Sequence, residues 1–144
     1  MESARPGEAG DALPEIAKQV SQAQVNAYAE AASDFNPIHL DEEYAKKSQF
    51  GGRIAHGMLI LAFVSEMMDQ AFPEGWSNGG RLKVRFKAPV YPGETVTTHG
   101  EVVAVRGSSR GPVAECRVGC RKKDGTEAVA GQAFVALGMR GESD

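Results

Sequence analysis

The sequence predicts an α+β domain in which late antiparallel strands pack around one long apolar helix. Two observations support this fold class. Helical patterns fall in the first half of the chain, whereas the second half reads as strands joined by hairpin turns. In addition, the stretch from Gly57 to Ala71 is apolar on nearly every face, so other elements must surround it. A curved antiparallel sheet could do so.

Length, composition and charge are those of one globular domain. With 144 residues the chain can bury a core without disulfides or metals, and 42% apolar with 24% charged residues is ordinary for such a domain. A net charge of -3 gives no electrostatic reason to expect nucleic acid or an anionic membrane as a partner. We expect a mobile tail over residues 1–12 and a single domain over residues 13–140.

Two stretches of the sequence bear on the cellular location of the protein. The opening residues, MESARPGEAGD, lack the basic flank and the apolar run of a secretory signal. The longest apolar stretch, residues 57–68, is well short of the roughly 20 residues needed to span a bilayer. We therefore expect a cytoplasmic protein in which this stretch is a buried helix.

The first helix is predicted from its start signal and its apolar face. Ser21 and Gln24 have the spacing of a capping box, and apolar residues then recur at helical spacing. This pattern predicts a helix from about Gln22 to Ala32, which ends just before Asp34. The residues on its apolar face are Val25, Tyr28, Ala29 and Ala32.

Two more helices are predicted before the strands. Asp41 can cap a short helix from Glu42 to about Lys47, whose acidic first turn and lysine-bearing last turn suit the helix dipole. A flexible loop over residues 49–53 then leads to the long apolar helix, from about Gly57 to Ala71.

The rest of the chain is predicted to form the sheet. Residues 80–87 alternate cationic and apolar side chains, the period of a strand with one face in water. Val90 to Glu94 form a turn, and Lys123-Asp124-Gly125 is a hairpin signal. Strands joined in this way make an antiparallel sheet, for which we expect about five strands. The later predicted strands are Thr95–Val105, Val113–Lys122 and Glu127–Leu137.

Cys116 and Cys120 are the only cysteines, and we interpret both as small core residues. On one strand, a rise of about 3.3 Å per residue puts them roughly 13 Å apart. A disulfide needs Cα atoms within about 7 Å of each other. The two cysteines are therefore not expected to form a disulfide together.

The segment Ser33 to His39, S-D-F-N-P-I-H, contains the strongest candidates for catalysis. Proline restricts the residue before it and donates no backbone hydrogen bond, so Asn36-Pro37 is expected to turn the chain out of the preceding helix. Asp34 and His39 could then face each other across a bend. A carboxylate beside an imidazole can transfer protons near neutral pH. The alternative is an ordinary capped turn.

The remaining histidines have structural alternatives. His56, at the start of the long helix, is a helix cap, a packed side chain or a ligand contact, and His99 is interpreted as structural. Asp34, His39 and His56 could be pictured as metal ligands, but their spacing matches no compact zinc pattern. We therefore predict no metal site.

Three motifs, in order, resemble one known family. They are D-F-N-P-I-H from Asp34 to His39, preceded by Tyr28, then I-A-H-G-M from Ile54 to Met58, then R-F-K-A-P-V-Y-P-G-E from Arg85 to Glu94. Across residues 20–138 the chain resembles the MaoC-like family of hot-dog fold (R)-specific enoyl-CoA hydratases and 3-hydroxyacyl-thioester dehydratases. The resemblance implies a hot-dog fold, in which an antiparallel sheet wraps a long central helix.

One residue departs from the family pattern. Many members have glycine immediately before the aspartate, where this chain has Ser33. If left-handed backbone geometry is needed at that helix exit, a side chain there adds a constraint. We expect a slightly different turn and retained activity.

The resemblance implies reversible hydration of an α,β-unsaturated thioester, without a cofactor. It assigns Asp34 and His39 as the catalytic pair and the Gly57 N–H as the principal oxyanion donor, which suits the free N–H groups at a helix N-terminus. We expect the pair to hold one water, with Asp34 as the base. The expected substrate contacts are Asn36, His56 and Met58.

The implied substrates are thioesters of coenzyme A or acyl carrier protein. The cationic row on the strand over residues 80–87 is either a solvated face or a contact for the phosphates of coenzyme A. Its members are Arg81, Lys83, Arg85 and Lys87.

The resemblance also implies a dimer. One helix cannot cover both faces of such a sheet and an edge strand would stay open, so we predict a homodimer or a dimer with a related hot-dog subunit. Two other functions remain: an acyl-thioester hydrolase and a non-catalytic acyl-thioester-binding subunit. Hydration is favoured because Asp34 and His39 occur together, a pair that a non-catalytic subunit has no reason to keep.

Overall fold

The computed structural model describes residues 6–109 and 111–138, which form a five-stranded sheet and its helices. In chain order the elements are β1 (Ala17–Gln19), α1 (Gln22–Ala32), α2 (Pro37–Leu40), α3 (Glu42–Lys46), α4 (Gly57–Ala71), α5 (Pro73–Ser77), β2 (Arg81–Phe86), β3 (Thr95–Arg106), β4 (Val113–Lys122) and β5 (Glu127–Ala136). The strand order is β1-β3-β4-β5-β2, and every neighbouring pair is antiparallel. The predicted α+β class is confirmed.

Helix α4 supplies the centre of the core, as its apolar sequence predicted. Its buried side chains pack against the inward-facing residues of β3, β4 and β5. Full burial of one large apolar side chain contributes about 1.5–3 kcal/mol, so the contact between α4 and the sheet is a major source of stability. The buried residues of α4 are Leu59, Ile60, Phe63, Val64, Met67, Met68 and Ala71.

Helix α1 begins as predicted and ends on a strained residue. The Ser21 hydroxyl accepts a hydrogen bond from the Gln24 N–H at 3.1 Å. At the other end Ser33 adopts left-handed geometry, with φ 56° and ψ 38°, and it is the one non-glycine residue with positive φ in the described ranges. The Asp34 N–H then bonds to the Ala29 carbonyl at 3.0 Å. The constraint expected at Ser33 is therefore present.

Replacing Ser33 by glycine is expected to stabilise the domain by about 0.5–1 kcal/mol. Glycine removes the steric cost of left-handed backbone, and part of that gain is offset by the greater freedom of the unfolded chain. Urea denaturation of wild type, Ser33→Gly and Ser33→Ala measures the effect. Ser33→Ala keeps the strain and is expected to match wild type within a few tenths of a kcal/mol; a lower midpoint for Ser33→Gly would contradict the prediction.

The Asn36-Pro37 pair has a different role from the one expected. Ser33 already ends α1, and Asn36 begins the one-turn helix α2: its side chain accepts from the Ile38 N–H at 3.1 Å. Proline has a fixed φ and lacks an N–H, and both properties suit the first turn of a helix. The pair therefore starts α2, which carries His39, and does not terminate α1.

Three short elements were not predicted. Strand β1 has three residues, too few for a periodic pattern, and its pairing with β3 is what defines it. Helix α5 starts at Pro73 directly after α4, where proline reads as a helix end. Helix α2 is the third. All three depend on contacts or caps that hydrophobic periodicity does not register.

The N-terminal residues run along β3. The Gly10 N–H bonds to the Val102 carbonyl at 2.7 Å, and the Leu13 N–H bonds to the Gly100 carbonyl at 2.9 Å. The last residues of the predicted tail thus contact the sheet. Residues 1–5 of that tail and residues 110, 139 and 140 of the predicted domain lie outside the described residues.

Cys116 and Cys120 are both buried in the core on β4. Burial raises the pKa of the Cys116 thiol to about 11, and burial raises the pKa of the Cys120 thiol to about 12. Both thiols therefore stay protonated and unreactive at neutral pH. As for membranes, none of the helices in the described ranges has the length and apolar character to cross a bilayer.

Candidate active site

Three separate elements bring the predicted catalytic residues together. Asp34 follows α1, His39 lies on α2, and His56 and Gly57 begin α4. One polar side-chain atom each from Asp34, His39 and His56 lies within 4.8 Å of the others. The segment that leads into α4 is tied to α2 by a bond from the Ile54 N–H to the Ile38 carbonyl, 3.2 Å long.

His39 is held by one ring nitrogen, which leaves the other available. Its Nδ1 lies 2.8 Å from the Ile54 carbonyl oxygen. A carbonyl only accepts, so Nδ1 must donate, and the neutral ring then presents Nε2 as an acceptor. Burial lowers the pKa of His39 below 6.5; the Ile54 hydrogen bond and the Asp34 charge oppose this shift, and His56 adds to it. The ring is therefore neutral at physiological pH.

Asp34 presents its carboxylate at the surface of the site. One carboxylate oxygen, Oδ1, accepts from the Asn36 N–H at 3.3 Å, which orients the group. The Asn36 side chain is used as the cap of α2. A carboxylate and a neutral imidazole, both with acceptor capacity, thus lie beside each other at the start of α4.

The N-terminus of α4 offers free backbone donors. The N–H groups of Gly57 and Met58 have no acceptor among the described residues, and they lie at the positive end of the helix dipole. Gly57 also lies close to β2: a Cβ added there would come within 2.9 Å of the Phe86 ring. Glycine therefore leaves this backbone open, and the Met58 side chain is 56% exposed beside it.

A cavity of about 350 Å³ opens beside these groups. His39 and Gly57 are among its lining residues, and most of its wall is apolar. Such a space suits an apolar chain whose polar group lies at the helix N-terminus. The other lining residues are Phe50, Ile54, Ala55, Ile60, Phe86, Lys87, Ala88, Pro89, Val90, Ala128 and Val129.

The loop over residues 49–53 is attached to the turn before β3. The Tyr91 hydroxyl donates to the Phe50 carbonyl at 2.8 Å, and Phe50 lines the cavity. The loop was predicted to be flexible, and this attachment was not predicted. No sequence signal marks a hydrogen bond to a backbone carbonyl that lies 41 residues away.

The four cationic residues predicted to lie along β2 fall in two different places. Leu82 and Val84 pack against the core, so Arg81, Lys83 and Arg85 project from the opposite face of the sheet. Lys87, which follows the strand, lines the cavity together with Phe86. The solvated-face interpretation therefore suits the three strand residues. The phosphate contact remains open for Lys87.

His99 lies away from this site and has a partner. Its Nε2 lies 2.9 Å from a Glu127 carboxylate oxygen, on the far side of β4. Gly119 leaves the room for this pair, since a Cβ there would come within 2.5 Å of the His99 ring. The pairing agrees with the structural interpretation of His99.

The His39 and His56 rings stack, with centroids 3.8 Å apart and planes 28° from parallel. Lone pairs on imidazole nitrogens lie in the ring plane, so the lone pairs of stacked rings run alongside each other instead of converging on one ion. This geometry is unfavourable for joint coordination by the two rings. The absence of a metal site stays our prediction.

Comparisons with known proteins agree on one family. A family model described as a MaoC like domain matches residues 4–123. The (R)-specific enoyl-CoA hydratase of Aeromonas caviae is 35% identical over 122 residues, covering 85% of this chain and 90% of that protein. The 3-hydroxybutyryl-CoA dehydratase of Methylorubrum extorquens is 32% identical over 130 residues, covering 90% and 80%.

Solved structures show the same fold. The structure of the (R)-hydratase from A. caviae involved in PHA biosynthesis superposes with a TM-score of 0.79 at 33% identity, covering 93% of this chain and 99% of that one. The ChsH1-ChsH2 complex from Mycobacterium tuberculosis contains a chain with a TM-score of 0.72 at 25% identity, covering 92% and 98%. The hot-dog fold implied by the sequence motifs is confirmed.

Proposed function

The chain belongs to the family of MaoC-like domains, and we propose that it catalyses reversible syn hydration of trans-2-enoyl thioesters to (R)-3-hydroxyacyl thioesters. The relatives named above are hydro-lyases, and this chain is one as well. One observation supports the finer proposal most. Asp34 lies beside His39, and His39 lines an apolar cavity together with Gly57, whose N–H is free among the described residues.

Asp34 and His39 orient one water molecule. Water has two O–H groups, so it donates one hydrogen bond to the Asp34 carboxylate and one to Nε2 of His39. A lone pair of the water oxygen is then free to attack C3 of the enoyl group. The Asn36 N–H bond to Asp34 and the Ile54 bond to His39 hold the two acceptors in place.

The reaction needs no reagent other than water. As the C3–O bond forms, one water O–H bond breaks and its proton moves to the base, while the π electrons move to the thioester oxygen. The Gly57 N–H stabilises the enolate. The base then returns the proton to C2 as the carbonyl re-forms. Water and base lie on one side of the substrate, so both additions occur on the same face.

Asp34 stays our predicted base, and the ring orientation makes His39 the second acceptor. Asn36 and Met58 border the reacting groups, the former through its cap on α2 and the latter through its position after Gly57. We assign the apolar cavity to the acyl chain. A chain-length series of enoyl-CoA substrates, assayed for kcat/KM, tests this placement.

The hydration rate is expected to stay high at pH values somewhat below 6.5. Burial lowers the pKa of His39 below its ordinary 6.5, so Nε2 remains an acceptor as the pH falls through 6.5, and activity declines only at the lower pKa. The measurement is kcat/KM for crotonyl-CoA against pH. His39→Gln has no imidazole and is expected to lack this decline of kcat/KM at low pH. A decline of kcat/KM that begins above pH 6.5 in wild type would contradict the prediction.

Two rival functions are separated by one assay. Addition of crotonyl-CoA to a hydratase decreases the enoyl-thioester absorbance with no release of free thiol. A thioesterase releases thiol instead, and a non-catalytic subunit binds the substrate and changes neither signal. The close approach of Asp34 and His39 favours the first outcome.

The protein is expected to act as a dimer, with itself or with a related hot-dog subunit. Strand β2 is an open edge of the sheet, and Phe86 on that strand is 54% exposed. Phe35 and Met58, each 56% exposed, lie next to the site residues Asp34 and Gly57. A second subunit would cover these groups. Light scattering of the active protein tests this assignment, and an active monomer would rule it out.

A further inference from the structure

We infer that His56 is a positioning residue, which holds Asp34, His39 and the oxyanion donor of α4 in one geometry without touching the substrate. This inference rests on the proposed hydratase function. His56 was predicted to be a substrate contact, but it is only 2% exposed. A residue so enclosed acts through its neighbours.

The first neighbour is the backbone of Asp34. Nε2 of His56 lies 3.0 Å from the Asp34 carbonyl oxygen. Because a carbonyl accepts only, Nε2 carries the hydrogen and donates it. This bond ties the start of α4 to the chain just beyond the strained exit of α1. The Asp34 carboxylate is attached to the same residue, so its position depends on the bond.

The second neighbour is the ring of His39. The two imidazoles stack at 3.8 Å, and the Tyr28 ring lies 4.8 Å from His56 at a 54° tilt. His39 is fixed at one edge by Ile54, but that single bond still allows rotation of the ring about it. The flat face of His56 restricts this rotation and so aims Nε2 of His39.

The third neighbour is the helix terminus. His56 is the N-cap of α4, and its carbonyl accepts from the Leu59 and Ile60 N–H groups at 3.1 and 3.4 Å. The next N–H along the chain is that of Gly57, the proposed oxyanion donor. A displacement of His56 would therefore move the base, the second acceptor and the donor relative to one another.

Substitutions of His56 can separate the two roles of its ring, hydrogen-bond donation by Nε2 and stacking on His39. Nδ1 of His56 is buried and has no hydrogen-bond partner in the described part of the chain, so the polar role rests on Nε2 alone. Glutamine places its amide N–H the same number of bonds from Cα and can restore that donor without the ring. Phenylalanine keeps a stacking ring and lacks the donor. Leucine supplies neither.

The test compares His56→Gln, His56→Phe and His56→Leu in crotonyl-CoA hydration, with thermal melting to establish that each variant is folded. We expect kcat to fall about hundredfold in the Leu variant and about tenfold in the Phe variant, which keeps a ring face against His39, with KM nearly unchanged; these losses span the range for partners that orient reacting groups. His56→Gln restores the donor without the ring and is expected to recover a large part of the loss seen in His56→Leu. His99→Gln, a histidine change away from the site, is the matched control and is expected to retain wild-type kcat.

Each other outcome overturns the inference. A raised KM with unchanged kcat would make His56 a substrate contact, and equal losses in all three variants would leave the Nε2 donor without a role. If the Phe and Leu variants do not fold while His56→Gln does, the residue serves stability instead. Lack of activity in wild type would reject the proposed function. If wild type is active and His56→Phe has the same kcat, only the role of His56 is rejected.

Discussion

Replacing Asp34 by asparagine is expected to lower kcat for crotonyl-CoA hydration by about a hundredfold to ten-thousandfold, the range for loss of general acid–base catalysis. Asparagine keeps the size of the side chain and the oxygen that accepts from the Asn36 N–H at 3.3 Å. It cannot take the water proton. The loss should therefore appear in kcat, with folding and substrate binding preserved.

The control for this change is Asp41→Asn. Asp41 caps α3 by accepting from the Tyr44 N–H at 3.1 Å, and asparagine is an equally good cap. The control should match wild type. His39→Gln and the double variant complete the set: residues that act on one water lose activity non-additively, so the double variant should be little worse than the poorer single one. Near-complete activity in Asp34→Asn would eliminate Asp34 as the base.

Replacing Gly57 by proline is expected to lower kcat by about a hundredfold to a thousandfold relative to Gly57→Ala, the effect of losing one oxyanion donor. Both variants add a Cβ at the same place, within 2.9 Å of the Phe86 ring before any adjustment. They differ at the backbone nitrogen, where proline lacks the N–H and carries a ring carbon in its place. The comparison therefore separates a change at the donor position from the steric effect of the added Cβ.

Proline is compatible with this position. Gly57 is the first residue of α4, where proline is favoured, and His56 has φ −62° and ψ 136°, the extended geometry preferred before proline. Phe86 is 54% exposed and can move away from an added Cβ. If thermal melting shows both variants folded and their kcat values are equal, the Gly57 N–H is not the oxyanion donor.

The main elements of the fold could be predicted because their signals are local. The apolar run of α4 and the alternation in β2 are visible in sequence, and the Ser21 cap and the hairpin before β5 mark their own positions. Of the elements that were missed, β1 lacks such a signal, and the Asn36-Pro37 start signal of α2 was interpreted as the exit from α1. Strand β1 is defined by pairing with β3, and α2 depends on the side chain of Asn36 folding back on its own backbone.

The residues of the candidate site could be predicted from the sequence, but their contacts with one another could not. Motif spacing identified Asp34, His39 and Gly57, and the family match agrees with the motifs. The roles of Asn36 and His56 could not be read in the same way. The Asn36 side chain accepts from the Ile38 N–H, and the His56 side chain donates to the Asp34 carbonyl. Nearly every residue type offers the same backbone groups, so the residue type of the partner does not reveal the contact.

The α+β class, the buried helix and the acid–imidazole pair could be predicted without coordinates, because hydrophobic periodicity, turn residues and motif spacing are properties of neighbouring residues. Other features became visible only in the folded molecule: three chain segments converge, Nδ1 of His39 donates to the Ile54 carbonyl, and His56 lies enclosed between Asp34 and His39. These features depend on burial and on hydrogen bonds between residues distant in sequence. Such contacts exist only once the sheet has packed on α4 and brought the loops together.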